Sequence, residues 1–487
     1  MYSLAQRATA MFAALLVGLT VGGTQAAAAV PQPVATAIAI PTVVPDVIPH
    51  DSIVSESSVN WTPQIRDGRV FDIAQSGQSV VAGGRFAEVA GSNGSPVLSR
   101  SSIVSFNATS GAINTGFDPS IVGDVRAIEP GPTPGTVYVG GTFQGIDGVT
   151  GKLFLLDAQT GARVSSFTPV RTNGAVQDVV LRNGRLFVGG SFTRVNNQPR
   201  GGLVTMNPTT GAVDGFLTST VAGNHNWFEG SNGAKAPVGP KALTIDPTGQ
   251  HLAVMGNFKT VDGLTRDQLA LLDISGGSAQ LRTDWRTTGY EATCASRAFD
   301  SYVRDVHFSP DGEYFSVATT GGPFPGTLCD TLTRFDPEAT GQDVDPLWTD
   351  ETGGDTLLSV ASSGATVYAG GHQRWMNNLN GRDRPNPGAV PRPGIGAVHP
   401  NSGIPIEWNP GRNPRGAGAE ALLATDQGLW VGHDTNWIGD RDEWRPGIAF
   451  FPLSAGMSSV PVRADRCPPT STGRRPVLVP ARTRCSA

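Results

Sequence analysis

The chain of 487 residues holds 62 glycines and 37 prolines, only 16% of its residues are charged, and its formal net charge is −5. Turn formers at that density serve many short strands, so the composition reads as all-β. The acidic balance argues against nucleic acid as the main partner.

Residues 1–29 combine a basic start at Arg7, an apolar stretch from Ala10 to Val21 and a small-residue end from Gln25 to Ala29. That is the grammar of a cleaved secretory signal, with the mature chain beginning near Val30. The apolar stretch is short for a bilayer span, and no second one of ~20 residues follows. No cysteine follows it for a lipid anchor and no LPxTG-like motif is present. A secreted, extracellular location is therefore expected, by release or by non-covalent retention in the envelope. Residues 30–57 read as a linker.

One phrase then recurs seven times at intervals of roughly 50–65 residues, the size of a repeat unit. It reads VVAGGRF from Val80, VYVGGTF from Val137, LFVGGSF from Leu186, LAVMGNF from Leu252, FSVATTG from Phe315, VYAGGHQ from Val367 and LWVGHDT from Leu429. Each is an apolar run closed by glycine, which predicts a buried strand ending at a tight loop. A strand precedes each phrase, such as VFDIAQ from Val70 or VRDVHF from Val303, joined to it by turns such as Asn183-Gly184. A third strand follows, such as SIVSFN from Ser102, and ends at a Thr/Ser-Gly turn such as Thr160-Gly161. A fourth ends on an aromatic: Phe117, Phe167, Phe216, Trp285, Trp348 or Trp408.

Four antiparallel strands per repeat make a propeller blade. The seventh repeat lacks its fourth strand, and Ser58 to Pro63 supplies that signature at the other end of the chain. The expected fold is a seven-bladed β-propeller over 58–456, its ring closed by an N-terminal strand that completes the last blade. Repeat five departs from the pattern, with Ala318-Thr319-Thr320 in place of the glycines.

Residues 457–487 form a Pro/Arg-rich tail with six arginines from Arg463 onward against Asp465. The cysteines are Cys294, Cys329, Cys467 and Cys485. In an exported chain an even number favours disulfides, here Cys294 with Cys329 and Cys467 with Cys485, although three connectivities are open. Zinc is not expected, because no CxxC pair exists.

The repeat resembles the secreted actinobacterial propeller repeats of the delta-60 or DUF5122 type, whose VYVGGxFxxVxG phrase is matched by Val137 to Gly148 and Leu186 to Asn196. The Ser309-Pro310-Asp311-Gly312 turn resembles that of WD40 and TolB blades, and the stretches from Gly370 and from Trp430 resemble a module of large exported actinobacterial proteins. The resemblance implies fold and location and little chemistry.

In this topology the loops between second and third strands share one face with the links between blades. Length accumulates there, at 217–240, 286–302, 320–328, 372–394 and 433–446, which makes it the expected working face, pinned by Cys294–Cys329. Trp227, Trp375, Trp437 and Trp444 lie in these loops among His225, Asn226, Glu229, His372, Arg374, Asn377, Asn378, His433, Asp434, Asp440 and Asp442. Flat aromatics beside such groups suit stacking on sugar rings with hydrogen bonds to hydroxyls, and equally suit packing of the loops on the ring. The candidate ligand-binding residues are Trp227, His372, Arg374, Trp375, Asn377, His433, Asp434, Trp437 and Trp444.

His372 and His433 sit at almost equivalent strand ends, yet a metal needs three or four convergent ligands. The run from Gly439 to Glu443 lacks the spacing of a calcium loop. No catalytic residue, metal or cofactor is assigned, since GxSxG, HExxH, P-loop and dinucleotide-binding fingerprints are absent. The first reading is a non-catalytic exported binding protein for a glycan, another envelope component or a protein, with no nucleic acid and no membrane span. The alternatives are a propeller enzyme (lyase, lactonase or quinone-dependent dehydrogenase) with a site over the central channel, and a structural spacer.

Overall fold

The computed structural model describes residues 50–454 and 459–462. The expected signal, most of the linker, Cys467, Cys485 and the basic tail lie outside the described residues. Among the described residues the regular structure is strand without helix, so none is a helix able to cross a membrane.

Seven principal antiparallel sheets follow one another along the described chain. Their first strands are Arg69–Ser76, Val125–Pro130, Val176–Arg182, Gly239–Ile245, Val303–Phe308, Leu357–Ser362 and Ala419–Thr425. In each sheet the recurring phrase is the second strand and pairs with both first and third. Each first strand lies beside the next sheet's first strand, and that of sheet seven lies beside that of sheet one. Packing between sheets is apolar: Val80, Val81, Val137, Leu186, Leu252, Phe315, Val367 and Leu429 are fully buried. At ~25 cal/mol per Å² of apolar surface, these strands are the main source of stability.

The paired glycines do not form the strand-end turns that the sequence suggests. Gly83 and Gly84 lie inside Ser79–Arg85. A Cβ on Gly83 would stand 2.4 Å from the Val125 side chain of sheet two, and one on Gly432 of sheet seven 2.6 Å from Val70 of sheet one. The glycines are therefore close-approach positions that let successive sheets touch.

Fourth strands are regular in two sheets, as Gln280–Leu281 and Trp348–Glu351. In sheets one, two, three and six the equivalent segment makes single bridges, Phe106 to Ile113, Leu156 to Arg163, Met206 to Val213 and Val398 to Pro405. The aromatic of this segment is buried whether or not it is a regular strand: Phe117, Trp285 and Trp408 are fully buried and Phe167 nearly so. Against the last strand, Ile448–Pro452, runs the start of the chain. The Ser55 N–H donates to the Pro452 carbonyl at 2.7 Å and the Val59 N–H to that of Phe450 at 2.9 Å. Trp61 packs on Trp430 and Phe450 with ring centroids 5.9 and 5.7 Å apart.

Candidate functional site

The stretches between second and third strands, read from sequence as variable loops, contain small hairpins such as Gly145–Ile146 with Val149–Thr150 and Arg194–Val195 with Gln198–Pro199. Their turns need left-handed backbone, supplied by Asp147 (φ 51°) with Gly148 and by Asn196 (φ 47°) with Asn197. The Asn196 side chain accepts from the Arg171 N–H at 2.9 Å, while its own N–H donates to the Arg171 carbonyl at 2.7 Å. Asp147 and Asp262 make the same reciprocal bonds to Ser120 and Thr220. Each of these links is thereby tied to the hairpin of its own repeat, and the links and hairpins are here called the loop face.

That face carries most of the exposed large apolar side chains. Val97, Val122, Leu264, Phe228, Phe324 and Trp444 belong to it, the three aromatics at 68% (Phe228), 44% (Phe324) and 40% (Trp444) exposure. Trp444 meets Trp437 edge-on, with centroids 4.8 Å apart and planes at 83°, across the hairpin of Trp437–Asp440 and Glu443–Trp444. Trp227 is half-buried beneath the Lys235 ammonium, 3.6 Å from its ring centroid. Half-buried Trp375 lies under the Arg374 guanidinium at 4.5 Å and pairs with Pro391.

The polar residues among these aromatics are mostly engaged within the protein. Arg374 grips Asp355 through Nε at 2.8 Å and Nη2 at 2.9 Å. Asn377 donates its side chain to the Gly388 carbonyl at 2.8 Å, and His372 bonds the Gly416 carbonyl. Asp434 pairs with fully buried Arg412 at 3.3 Å and accepts from the Gly418 N–H at 3.2 Å. His433 is fully buried; burial, then the Arg412 charge, hold its imidazole well below the usual histidine range. His225 is also buried, its Nδ1 2.7 Å from Asp267. Cys294 and Cys329 stand at disulfide distance, Cα atoms 6.3 Å apart. Among the described residues no three His, Cys, Asp or Glu side chains are grouped to hold a metal.

Below this face the first strands of all seven sheets line a shared cavity of about 540 Å³. Every first strand carries a β-bulge at the same place, between Val70 and Asp72, Val125 and Ala127, Val176 and Asp178, Pro240 and Ala242, Val303 and Asp305, Leu357 and Ser359, and Ala419 and Ala421. The extra residue of each bulge lines the cavity: Phe71, Arg126, Gln177, Lys241, Arg304, Leu358 and Glu420.

Next to the bulge, sheets one, three and five carry Asp72, Asp178 and Asp305. One oxygen of each accepts from the following residue's N–H, at 2.7–2.8 Å, and the other from Ile128, Leu243 or Val360 in the next sheet, at 2.6–2.8 Å. These carboxylates stitch neighbouring sheets. Burial raises Asp72 and Asp305 to about 7 and Asp178 well above its ordinary value.

Sequence reasoning missed these aspartates, although V-x-D in three first strands was a visible signal. It also missed an arginine three residues before the third strand in five repeats: Arg100, Arg200, Arg266, Arg392 and Arg445. Arg100, Arg266 and Arg392 reach carbonyls of Thr115, Arg282 and Ile406, in the segment after their own third strand. Arg445 instead reaches Ser58 and Val59 at the start of the chain.

No family model matches the chain, and no curated protein does. Among solved structures, the computationally designed Ika8 protein (crystal packing No. 1 in P63) aligns over 83% of this chain and 100% of its own, at 11% identity and a TM-score of 0.42. A likeness that low carries no argument about fold or function.

Proposed function

We propose that the seven sheets are the blades of a β-propeller of the delta-60 kind, exported, whose loop-bearing face binds an extracellular glycan. Seven blades are supported by the succession of first strands and by the contact of Gly432 with Val70. Closure by the N-terminal strand is supported by Arg445, which finds in Ser58 and Val59 what its counterparts find in their own sheets. Export is supported by the 1–29 signal grammar and by a cysteine pair at disulfide distance.

The observation that carries the binding reading is the concentration of exposed apolar side chains, Phe228, Phe324 and Trp444 above all, on one face. An edge-on tryptophan pair leaves one indole face open to the C–H side of a sugar, and exposed Asp440, Asp442 and Arg441 beside it suit hydroxyl contacts. The enzyme reading draws less support, because Asp72, Asp178 and Asp305 spend both oxygens on peptide N–H groups and Glu420 is paired with Arg69.

The test is retention of the mature chain on insoluble polysaccharides and isolated cell walls, beside Trp444→Ala and Phe228→Ala. Both side chains are exposed, so neither change should move the melting temperature by more than about a degree, a surface substitution costing within ~0.5 kcal/mol. Loss of retention in folded Trp444→Ala is the expected result. Absence of retention by the wild type on every matrix sinks the glycan reading.

A further inference from the structure

Two kinds of charged group face the shared cavity, and they differ in what they have left to offer. The carboxylates of Asp72, Asp178 and Asp305 have both oxygens occupied by peptide N–H groups. Among the cavity cations Arg126 is paired with Asp124, and Arg304 is not matched in that way. Arg304 donates from Nη1 to the neighbouring Val303 carbonyl at 3.1 Å and, among the described residues, forms no ion pair with a carboxylate. A guanidinium has five N–H donors in a fixed fork, so Arg304, which lines the cavity, has donors beyond that one bond, and it feels Asp300, Asp330 and Glu420 through their charge alone. On the adjoining strand, Lys241 Nζ bonds Ser301 at 2.8 Å and lies 3.1 Å from Asp300. Burial, then the Arg304 charge, push Lys241 down to about 8 against the pull of Asp300.

We propose that the cavity binds a small oxyanion, the carboxylate or phosphate of a small molecule, at the Lys241–Arg304 pair on adjoining first strands. The fork of Arg304 takes two oxygens of a planar or tetrahedral anion, and the Lys241 ammonium adds a point charge. The cavity volume of about 540 Å³ admits a monosaccharide acid or a phosphate with its water. This site lies at the bulges of the first strands, apart from Trp444, and does not rest on the glycan reading of the loop face.

Isothermal titration of the full chain with D-glucuronate and with inorganic phosphate, at fixed ionic strength in chloride, tests it; D-glucose is the uncharged control. Saturable binding of glucuronate, of phosphate or of both, without binding of glucose, is expected, and which anions bind distinguishes a sugar acid from a general oxyanion pocket. Arg304→Gln and Lys241→Gln should each weaken it about tenfold or more, the size of a lost charge-assisted hydrogen bond, and Trp444→Ala should leave it unchanged. Absence of saturation by either anion overturns the proposal, as do equal binding of glucose and unchanged affinity in folded Arg304→Gln. The wild-type titration decides the matter even where a variant fails to fold.

Discussion

The cavity wall and the loop face both bury carboxylates, and they hold them by opposite means. On the wall, Asp72, Asp178 and Asp305 are held by peptide N–H groups of two neighbouring sheets, and burial raises them toward neutrality. On the loop face, Asp355 is gripped by Arg374 and Asp434 by Arg412. A peptide dipole stabilises a carboxylate less than a guanidinium does. On the wall each such aspartate receives one bond from its own strand and one from the next sheet. The loops do not repeat; where they bury Asp355 and Asp434 a guanidinium faces each, and a cysteine pair ties 286–302 to the end of the 320–328 loop.

The sharpest way to break that contrast is to remove the loop face's most buried cation. Arg412 is fully buried, donates to Thr435 Oγ1 at 3.0 Å and to the Gly371 carbonyl at 2.9 Å, and pairs with Asp434. Arg412→Met leaves Asp434 without its cation and two oxygens without donors, so a loss of about 3–5 kcal/mol is expected in urea unfolding. A loss under ~1 kcal/mol would mean that water replaces the guanidinium and that the pair pins nothing. Next in size is Cys294→Ser/Cys329→Ser. Opening a loop of 35 residues costs about 4 kcal/mol in chain entropy, and the loss should appear as proteolysis within 286–302 and 320–328 first. Equal cleavage of reduced and oxidised protein would show that the apolar contacts of these loops suffice.

The same contrast governs how much could be read from sequence. The strands were legible because each repeats an apolar run that is buried in every sheet, as Val80, Val137 and Leu186 are. The role of the glycines was not, since a close approach between sheets and a turn leave the same residue in the sequence, and only the Val125 contact at Gly83 separates them. The hairpins at Asp147 and Asn196 were passed over because two-residue strands carry too little alternation to register. At the candidate site, Trp375, Trp437 and Trp444 lie in hairpin strands rather than in loops, and the burial of the tryptophans was not legible. Trp375 and Trp227 lie half covered beneath cations, while Phe228, which drew no notice, stands open to solvent. His433 was weighed as a ligand because a strand end usually faces water; here it is packed beside Arg412.

The wall aspartates give the smallest and most discriminating effect. Two forces act on Asp72: burial disfavours the charged form, and the N–H groups of Ile73 and Ile128, at 2.8 and 2.6 Å, favour it. Burial dominates, so the folded value of about 7 lies above the ordinary 3.8. A folded value above the unfolded one means that the folded state holds the proton longer. Its contribution is therefore whole below pH 4 and is lost as pH rises toward 7. Asp72→Asn keeps one acceptor and cannot ionise, so it mimics the protonated acid. The stability advantage of wild type over Asp72→Asn should shrink by about 3 kcal/mol between pH 4.5 and pH 7.5, read from paired urea titrations at each pH. An advantage that instead grows with pH would mean that the two N–H bonds outweigh burial, and the wall would then hold its carboxylates as firmly as the arginines hold theirs.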